Sequence, residues 1–344
     1  MRPTTKDLAK HAGVSRATVD RVLNGRTGVQ GKTIEAVNKA IQELGFVRNL
    51  SAANLAKGRI YKFEFLLPRE QGAFLNTLVI QIEELKSAVR SDGIEITYRR
   101  VLERDPHRVV RTLASITTEH VDGVAIIASE SPQVRDALQR LVERGVHAVQ
   151  FISGRRDSNQ LDFVGIDNQA AGATAGRLLG GFCKMSDGRV LVITESMNDF
   201  DSVERRLGFD RVLTNRFPGL STLPTLETFG DIERAHRVIR NVYQNYPNIV
   251  GVYVMSSEAS APLEAVCSFG DPAKQIIIAH ERTSLTLSLL QSDKIDALIT
   301  QNPGHIVRSA VRLLKAQTDG RQPLASQENI RIEILLKENT LDAA

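Results

Sequence analysis

The spacing of apolar positions changes from helical to mixed at about residue 60. Before that point, Gly13 separates two short helical segments, the first capped by Thr5 and the second opened by Ser15. A third segment, 32–44, stops at Gly45. Its apolar side chains recur at helical spacing and predict one buried face, made of Ile34, Val37, Ile41 and Leu44. The pattern predicts a helix, a tight turn, a second helix and a bracing third helix.

After residue 60, apolar runs of strand length alternate with amphipathic helical stretches, as in a parallel sheet covered by helices. Ser131 and Pro132, for example, are typical of an N-cap and the first helical turn. There are more such units than one sheet of ordinary size needs, so we expect an α/β fold with two similar lobes and a ligand between them. The predicted strands are 61–67, 94–101, 123–128, 147–152, 190–194, 251–254, 276–279 and 297–300.

Charge is distributed unevenly along the chain. The net charge is +4, but residues 1–60 hold 11 Lys and Arg against 4 Asp and Glu, which is +7 and leaves −3 for the remainder. Positive charge concentrated on one small segment is typical of a nucleic-acid binder. A solvated helical surface is the alternative on charge alone.

The second helix places polar side chains on its outer face, among them Arg16, Thr18, Arg21 and Asn24. The major groove of DNA accepts an α-helix, and an arginine can pair with guanine through two hydrogen bonds. Residues 4–25 resemble the DNA-binding segment of the lactose-repressor family in reading TTKDLAKHAGVSRATVDRVLNG. The resemblance continues to residue 58 through Val29, Thr33, Ala40, Leu44, Gly45 and Asn49.

This resemblance implies that Arg16 and Ala17 read bases, that Arg21 contacts a base or a phosphate, and that Thr18 and Asn24 contact phosphates. It also implies that residues 49–57 form a hinge that becomes helical on operator DNA, with Leu55 inserted into the minor groove. The alternative for the hinge is a flexible linker. The expected DNA contacts are therefore Ser15, Arg16, Ala17, Thr18, Arg21, Asn24 and Leu55.

Three residues depart from the family pattern: Asp20 replaces the usual serine, Arg48 the usual proline, and Asn54 a common basic residue. A carboxylate that faces phosphates is repelled unless it is neutralised. Arg16 lies one turn earlier and could pair with Asp20, which would reduce its freedom to read a base.

Residues 61–344 resemble the periplasmic sugar-binding-protein fold that forms the effector domain of lactose-repressor relatives. The motifs VGIDNQAAG, SVERRLGF, HERT and ITQNP carry this resemblance, while Met255 and Ser256 replace the usual Asn-Asp. The alternatives are a helix cap for Asp167, an ion pair for Arg205 and a core position for Phe74. The resemblance implies effector contacts from Phe74, Glu130, Asp167, Arg205, Glu281 and Gln301.

Carboxylates, amides and an aromatic face suit a sugar or polyol. We therefore expect a transcriptional regulator, most simply a repressor, with a helix-turn-helix domain (1–48), a hinge (49–60) and an effector domain (61–344). Its expected partners are near-palindromic double-stranded operator DNA, a sugar or polyol effector and a second copy of the chain in a homodimer, with a tetramer as the alternative.

Other classes of function fit less well. A sugar-transport protein would share residues 61–344, but the start MRPTTKDLAKHAGVS has no apolar export segment and the composition predicts no membrane span, so we expect a cytoplasmic protein. An enzyme is disfavoured because HERTS fails the HExxH pattern and no GxSxG or Walker A sequence occurs. Only Cys183 and Cys267 occur, and the histidines are scattered, so we expect no disulfide, metal or cofactor.

Overall fold

A computed structural model of the chain describes residues 3–23, 26–46, 59–69, 72–102, 105–128, 131–154, 161–183, 187–322 and 329–340. The chain divides into two compact units, Met1–Arg59, here called the head, and Ile60–Ala344, the two-lobed domain. Residues 49–58 of the predicted hinge (49–60) and the predicted contacts Asn24, Leu55 and Glu130 lie outside the described residues. The finer division at residues 48 and 60 stays a prediction.

The helices described in the head are α1 (Thr5–His11), α2 (Arg16–Leu23) and α3 (Gly31–Leu44). They enclose a small core in which Leu8, Val19, Val37 and Ala40 are buried. Ile34, expected on the core face of α3, is instead 38% exposed because it lies in the first turn, before the helix meets its neighbours. The predicted order of three short helices is confirmed.

The ends of these helices follow from local chemistry. The N-cap of α1 is Thr4 rather than the predicted Thr5, because Asp7 lies three residues after Thr4 and completes a capping box. Thr4 Oγ1 accepts from Asp7 N at 3.3 Å, and the Asp7 carboxylate accepts from Thr4 N at 2.8 Å. Gly45, with φ of 58°, ends α3 as predicted.

Lobe 1 contains a parallel sheet of five strands in the order β2-β1-β3-β4-β5. Helices pack on both faces, with α4 on one and α5 and α6 on the other. Its elements in chain order are β1 (Tyr61–Pro68), α4 (Ala73–Val89), β2 (Ile94–Leu102), α5 (Pro106–Ala114), β3 (Gly123–Ile126), α6 (Pro132–Glu143), β4 (His147–Phe151) and β5 (Asp162–Val164).

Lobe 2 contains a sheet in the order β12-β11-β10-β9-β6-β7, with β8 also paired to β6. Pairing is parallel except for β12, which runs antiparallel to β11. Its elements are α7 (Asn168–Phe182), β6 (Gly188–Thr194), α8 (Phe200–Arg216), β7 (Leu220–Thr222), β8 (Leu226–Glu227), α9 (Ile232–Asn245), β9 (Ile249–Val254), α10 (Ser260–Phe269), β10 (Ile276–His280), α11 (Ser284–Gln291), β11 (Ala297–Thr300) and β12 (Glu333–Leu335).

One helix late in the chain returns to lobe 1. Helix α12 (Pro303–Thr318) follows β11 of lobe 2 but packs against α4, β3 and β4 of lobe 1. The packing is close, since a Cβ built on Gly123 of β3 would lie 2.9 Å from Leu314 Cδ2. The chain then crosses back to add β12 to lobe 2, so it passes between the lobes three times.

All eight predicted strands are present, and the predicted two-lobed α/β fold is confirmed. Ser131 caps α6 and Pro132 begins it, also as predicted. The strands that were not predicted are β5, β7, β8 and β12, each of two or three residues. In the described part of the chain, no helix combines the length and apolar character needed to cross a membrane.

Candidate DNA-binding and effector sites

Helix α2 presents three of the predicted DNA contacts to solvent. Arg16, Ala17 and Arg21 are exposed, and Val19 on the opposite face is buried in the core of the head. Ser15 fixes the start of the helix, since its Oγ accepts from Thr18 N at 3.1 Å and lies 2.8 Å from Thr18 Oγ1. The cap at Ser15 and the buried Val19 therefore fix which face of α2 is exposed.

Helices α1 and α3 are also joined by a polar contact at the surface. His11 Nε2 lies 2.8 Å from Glu43 Oε2, and this hydrogen bond lowers the pKa of the Glu43 carboxyl. Lys39, one turn earlier on α3, lies 3.8 Å from the same carboxylate. The His11–Glu43 contact joins α1 to α3, but both exposed pairs contribute little because water screens them.

In lobe 2, a polar cluster lies where adjacent parallel strands end. Glu281 directly follows β10, and Thr300 and Gln301 are at the end of β11. Gln301 Nε2 donates to Glu281 Oε1 at 2.8 Å, and Thr300 Oγ1 donates to Glu281 Oε2 at 3.3 Å. All three side chains are buried. Among the described residues, Gln301 Oε1 has no hydrogen-bond partner, which leaves one buried acceptor unsatisfied in the cluster.

Glu281 occupies an unusual environment. Its φ of 62° is in the left-handed region that non-glycine residues seldom adopt, and such strain tends to occur at functional sites. Burial raises the pKa of its carboxyl to about 7, although the positive charge of Arg205 and the hydrogen bonds from Gln301 and Thr300 lower it. This carboxyl therefore changes its charge state near neutral pH.

Arg205 of α8 is the second charged group in the cluster and is 1% exposed. Its Nε donates to Asn168 Oδ1 at 2.9 Å, and its Nη1 donates to the carbonyl oxygen of Met255 at 2.6 Å. Asp201, one turn earlier, has a carboxylate oxygen 3.9 Å from Nη2. These partners come from three elements and hold the guanidinium in a fixed orientation.

Two glycines let α7 and α8 approach closely enough for this arrangement. A Cβ on Gly172 of α7 would lie 1.8 Å from the carbonyl oxygen of Arg205, and one on Gly208 of α8 would lie 1.9 Å from that of Gln169. Any larger side chain would force the helices apart. The backbone that carries Arg205 is therefore positioned by direct contact with the neighbouring helix.

Beside this cluster lies a neutral, fully buried pair. His280 Nε2 is 2.7 Å from the hydroxyl of Tyr253, whose ring stacks on Phe209 with centroids 4.5 Å apart. Burial, with a smaller contribution from Arg205, holds the pKa of His280 well below its usual value. Burial also raises the pKa of the Tyr253 hydroxyl above its usual range. Both groups are uncharged at neutral pH, so the charges in this region belong to Arg205, Asp201 and Glu281.

The structure places Phe74 and Asp167 differently from the predicted effector contacts Arg205, Glu281 and Gln301. Phe74 is 2% exposed and packs in the core of the two-lobed domain with Leu78 and Ile82 of the same helix. Asp167 is exposed and is the N-cap of α7, where its carboxylate accepts from Ala170 N at 2.8 Å. Of the six predicted residues, the structure thus brings Arg205, Glu281 and Gln301 to one edge of lobe 2.

Glu258 of lobe 2 makes a contact that sequence reasoning missed. Its carboxylate accepts from the backbone N of Ala73 at 2.9 Å and of Phe74 at 3.1 Å, at the start of α4 in lobe 1. Burial raises the pKa of this carboxyl, and the amide hydrogen bonds oppose the shift. The contact shows that the carboxyl ends of the two sheets face each other here. No sequence motif marks Glu258, because its partner lies in another lobe.

Phe229, just beyond β8, is a second residue that sequence reasoning missed. It is 49% exposed, has φ of 54°, and is fixed by a backbone hydrogen bond of 2.8 Å from its N to the Glu195 carbonyl. The Arg234 guanidinium lies 4.8 Å from its ring centroid. An exposed aromatic ring at the strand ends offers an apolar face to a ligand.

Among the described residues, no group of three or more histidine, cysteine or acidic side chains could hold a metal ion. The chemistry of the cluster around Arg205 is that of hydrogen bonding, with a guanidinium, carboxylates, amides and the Thr300 hydroxyl. Such groups can donate to and accept from adjacent hydroxyl groups of a bound molecule.

Comparison with known proteins finds two matching families. A profile described as "Bacterial regulatory proteins, lacI family" matches residues 4–49, and one described as "Periplasmic binding protein domain" matches residues 63–322. The HTH-type transcriptional regulator AglR of Rhizobium meliloti is 24% identical over 347 residues, which covers 97% of this chain and 93% of that protein. The HTH-type transcriptional regulator CelR of Thermobifida fusca is 26% identical over 266 residues, 74% of each chain.

A solved structure shares the fold of the larger unit. It is a solute-binding protein of an ABC transporter from Burkholderia graminis, in complex with D-arabinose, with a TM-score of 0.73 and 22% identity. The match covers 82% of this chain and 97% of that one. At this level of identity the likeness concerns the fold alone.

Proposed function

The chain belongs to the lacI family of bacterial regulatory proteins and carries a periplasmic binding protein domain, and we propose that it is a DNA-binding regulator of sugar metabolism that works as follows. A sugar or polyol binds between the lobes at the strand ends of lobe 2. Its binding changes the affinity of the head for operator DNA, and the regulator acts as a repressor. The protein has no catalytic role in this proposal and acts where the operator is, in the cytoplasm.

The observation that carries the effector site is the cluster of Arg205, Glu281 and Gln301. It combines a positioned guanidinium, a buried carboxyl and an amide whose oxygen has no partner among the described residues. A hydroxyl of the effector would satisfy Gln301 Oε1, since a buried acceptor without a donor is unfavourable. Neighbouring hydroxyls would bond Glu281 and Arg205.

The apolar face of a sugar ring needs a different partner, and Phe229 supports this part of the proposal. Its ring is exposed at the same edge of the sheet, and its backbone is held in place. Phe74, Glu130 and Asp167 stay predicted contacts, carried by the sequence resemblance. Phe74 would act as a wall of the cavity, and Asp167 would use the carboxylate oxygen not engaged in its cap.

The DNA half of the proposal rests on the exposed face of α2. Arg16, Ala17 and Arg21 enter the major groove, Ser15 and Thr18 contact phosphates beside the capped helix start, and Asn24 and Leu55 act as the resemblance implies. One head covers too little DNA for tight specific binding, so the unit is a homodimer on a near-palindromic operator. A tetramer would pair two such dimers.

The test joins both halves in one measurement. The full chain is screened by thermal shift against neutral sugars, polyols and their phosphates, since a ligand that binds only the folded state raises the melting temperature. Operator DNA is selected from a random pool and its affinity is measured by fluorescence anisotropy with and without the sugar that binds. We expect a near-palindromic site whose affinity changes by about 1–3 kcal/mol on sugar binding. Selection of no sequence, or an affinity indifferent to every sugar that binds, would contradict the proposal.

A further inference from the structure

Helix α4 begins without a capping side chain of its own. Its N-cap residue is Gly72, and its first turn contains no acidic residue. Several other helices of the two-lobed domain are capped by the side chain of their own N-cap residue; Asp105 caps α5 and Asn302 caps α12. The first N–H groups of a helix have no partner within the helix, so the start of α4 needs an acceptor from elsewhere.

Glu258 supplies this acceptor from the other lobe. Its Oε2 accepts from Ala73 N and its Oε1 from Phe74 N, so both carboxylate oxygens are used. Glu258 follows β9 and precedes α10, both in lobe 2, while α4 belongs to lobe 1. A carboxylate at a helix N-terminus is favoured by the helix dipole and forms charge-assisted hydrogen bonds. The contact therefore links the lobes across the cleft.

Lobe 1 is shaped to receive this carboxylate. A Cβ on Gly72 would lie 2.0 Å from Glu258 Oε1 and 2.3 Å from its Cδ. The φ of Gly72 is −162°, an extended conformation that any residue adopts, so the backbone does not require glycine. The close approach of Glu258 does. Any side chain at position 72 would displace the carboxylate from the amides of α4.

We propose that Glu258 is a cross-cleft clasp, which caps α4 from the opposite lobe and holds the two lobes closed in the protein without effector. The clasp then sets effector affinity without touching the effector, because weakening it shifts the protein towards an open state. This consequence for affinity rests on the proposed function. The claim that the effector-free protein is closed does not rest on the proposed function, and it is tested without any sugar.

The experiment measures the distance between the lobes by single-molecule energy transfer in the full chain. Dyes are attached to cysteines placed at Gln133 and Glu233, exposed residues in the first turns of α6 and α9, after both native cysteines are replaced by alanine. Labelled chain is mixed with an excess of unlabelled chain, so each oligomer carries one labelled copy. The variants are Glu258→Ala, Gly72→Ala and their combination.

We expect one high-transfer population in the parent protein and a shift to lower transfer in each single variant. The combined variant should shift no further, since both substitutions remove the same contact. Glu264→Ala, which removes an exposed carboxylate from α10, is the matched control and should leave the distribution unchanged. Hydrogen exchange at the amides of residues 73 and 74 should become faster in both single variants.

Three results would overturn the clasp: an open parent protein, single variants with the parent distribution, or a combined variant that shifts by the sum of the two. Circular dichroism establishes that each variant is folded. If Glu258→Ala does not fold, Gly72→Ala carries the test alone, because the flexible carboxylate can move aside from the added methyl group. None of these results bears on whether a sugar binds, so a failed clasp leaves the proposed function standing.

Discussion

At the scale of single residues, Glu281 is the side chain whose charge state matters most. Its pKa is raised from 4.5 to about 7 by burial. Between these two pH values the folded protein therefore keeps a proton that the unfolded chain has lost. This contribution to stability is complete below the ordinary pKa and disappears as pH rises through the folded value. At neutral pH, ionisation of this buried carboxyl destabilises the effector-free protein. Hydroxyl donors from an effector would stabilise the ionised form.

Replacing the acid with its neutral isostere tests this directly. Between about pH 4.5 and about pH 7 the wild type should lose about 3 kcal/mol of stability through Glu281, at about 1.4 kcal/mol per pKa unit. Glu281→Gln should lack this loss, so its melting temperature should exceed that of the wild type at pH 7 and approach it near pH 4.5. The exposed acid Glu264, changed to Gln, is the control. Equal pH profiles for wild type and Glu281→Gln would show that the carboxyl titrates normally.

The arrangement of its hydrogen-bond donors, more than its positive charge, determines what Arg205 contributes to the cluster. Lysine keeps the positive charge but cannot reach Asn168 and the Met255 carbonyl at once, because it lacks the planar fork. Arg205→Lys should weaken binding of the sugar found by thermal shift about tenfold or more, since a hydrogen bond to a charged group contributes about 1.5–3 kcal/mol. Calorimetry measures the affinity, and Arg211→Lys, exposed on the same helix, is the control. Undiminished affinity would remove Arg205 from the effector site.

At the scale of elements, the contact between α7 and α8 positions the backbone of Arg205, one of the three residues that we propose bind the effector. Gly172→Ala should destabilise the two-lobed domain by about 1–3 kcal/mol through overpacking, because the new methyl group meets the Arg205 backbone. It should also weaken sugar binding by moving Arg205. Gly181→Ala is the matched control on α7, since its Cβ would meet only Arg177 Nη1 at 4.0 Å. Denaturation curves compare the two, and equal midpoints would mean that the helices can separate without penalty.

Much of this element structure was predictable from the sequence, and the exceptions share a cause. Long buried strands such as β1 and β9 show runs of apolar residues, whereas β5, β7, β8 and β12 are too short to show a period. The predicted effector contacts divide similarly. Arg205, Glu281 and Gln301 lie in motifs that end strands or begin helices, so the resemblance could point to them as predicted contacts. The contacts of Asn168 and Glu258 depend on which helix or lobe packs against these residues, and the neighbouring sequence does not show this.

At the scale of the whole molecule, the positive charge is concentrated in the part that meets DNA. Residues 1–60 carry +7 while the remainder carries −3, so operator affinity should fall steeply with salt. Arg21→Ala should weaken operator binding by about 1–3 kcal/mol if it reads a base, or reduce the salt slope by about one if it contacts a phosphate. Fluorescence anisotropy at several salt concentrations separates these cases. Lys39→Ala on α3 is the control, and an Arg21→Ala variant indistinguishable from wild type would exclude the contact.

The return of α12 to lobe 1 determines when that lobe can finish folding during synthesis. Residues 61–164 supply its five strands, but the sheet face containing Phe63, Phe65 and Val149 is completed by α12, which is translated after nearly all of lobe 2. Helix α4 covers only part of this face, so the rest of it stays exposed on the nascent chain for the time needed to make about 140 further residues. Lobe 2 waits for a single edge strand, β12, and has its main core much earlier. Lobe 1 therefore supplies its strands first but gains its last helix only after β6–β11 of lobe 2 have been made, and during that interval its incomplete sheet face is open to aggregation.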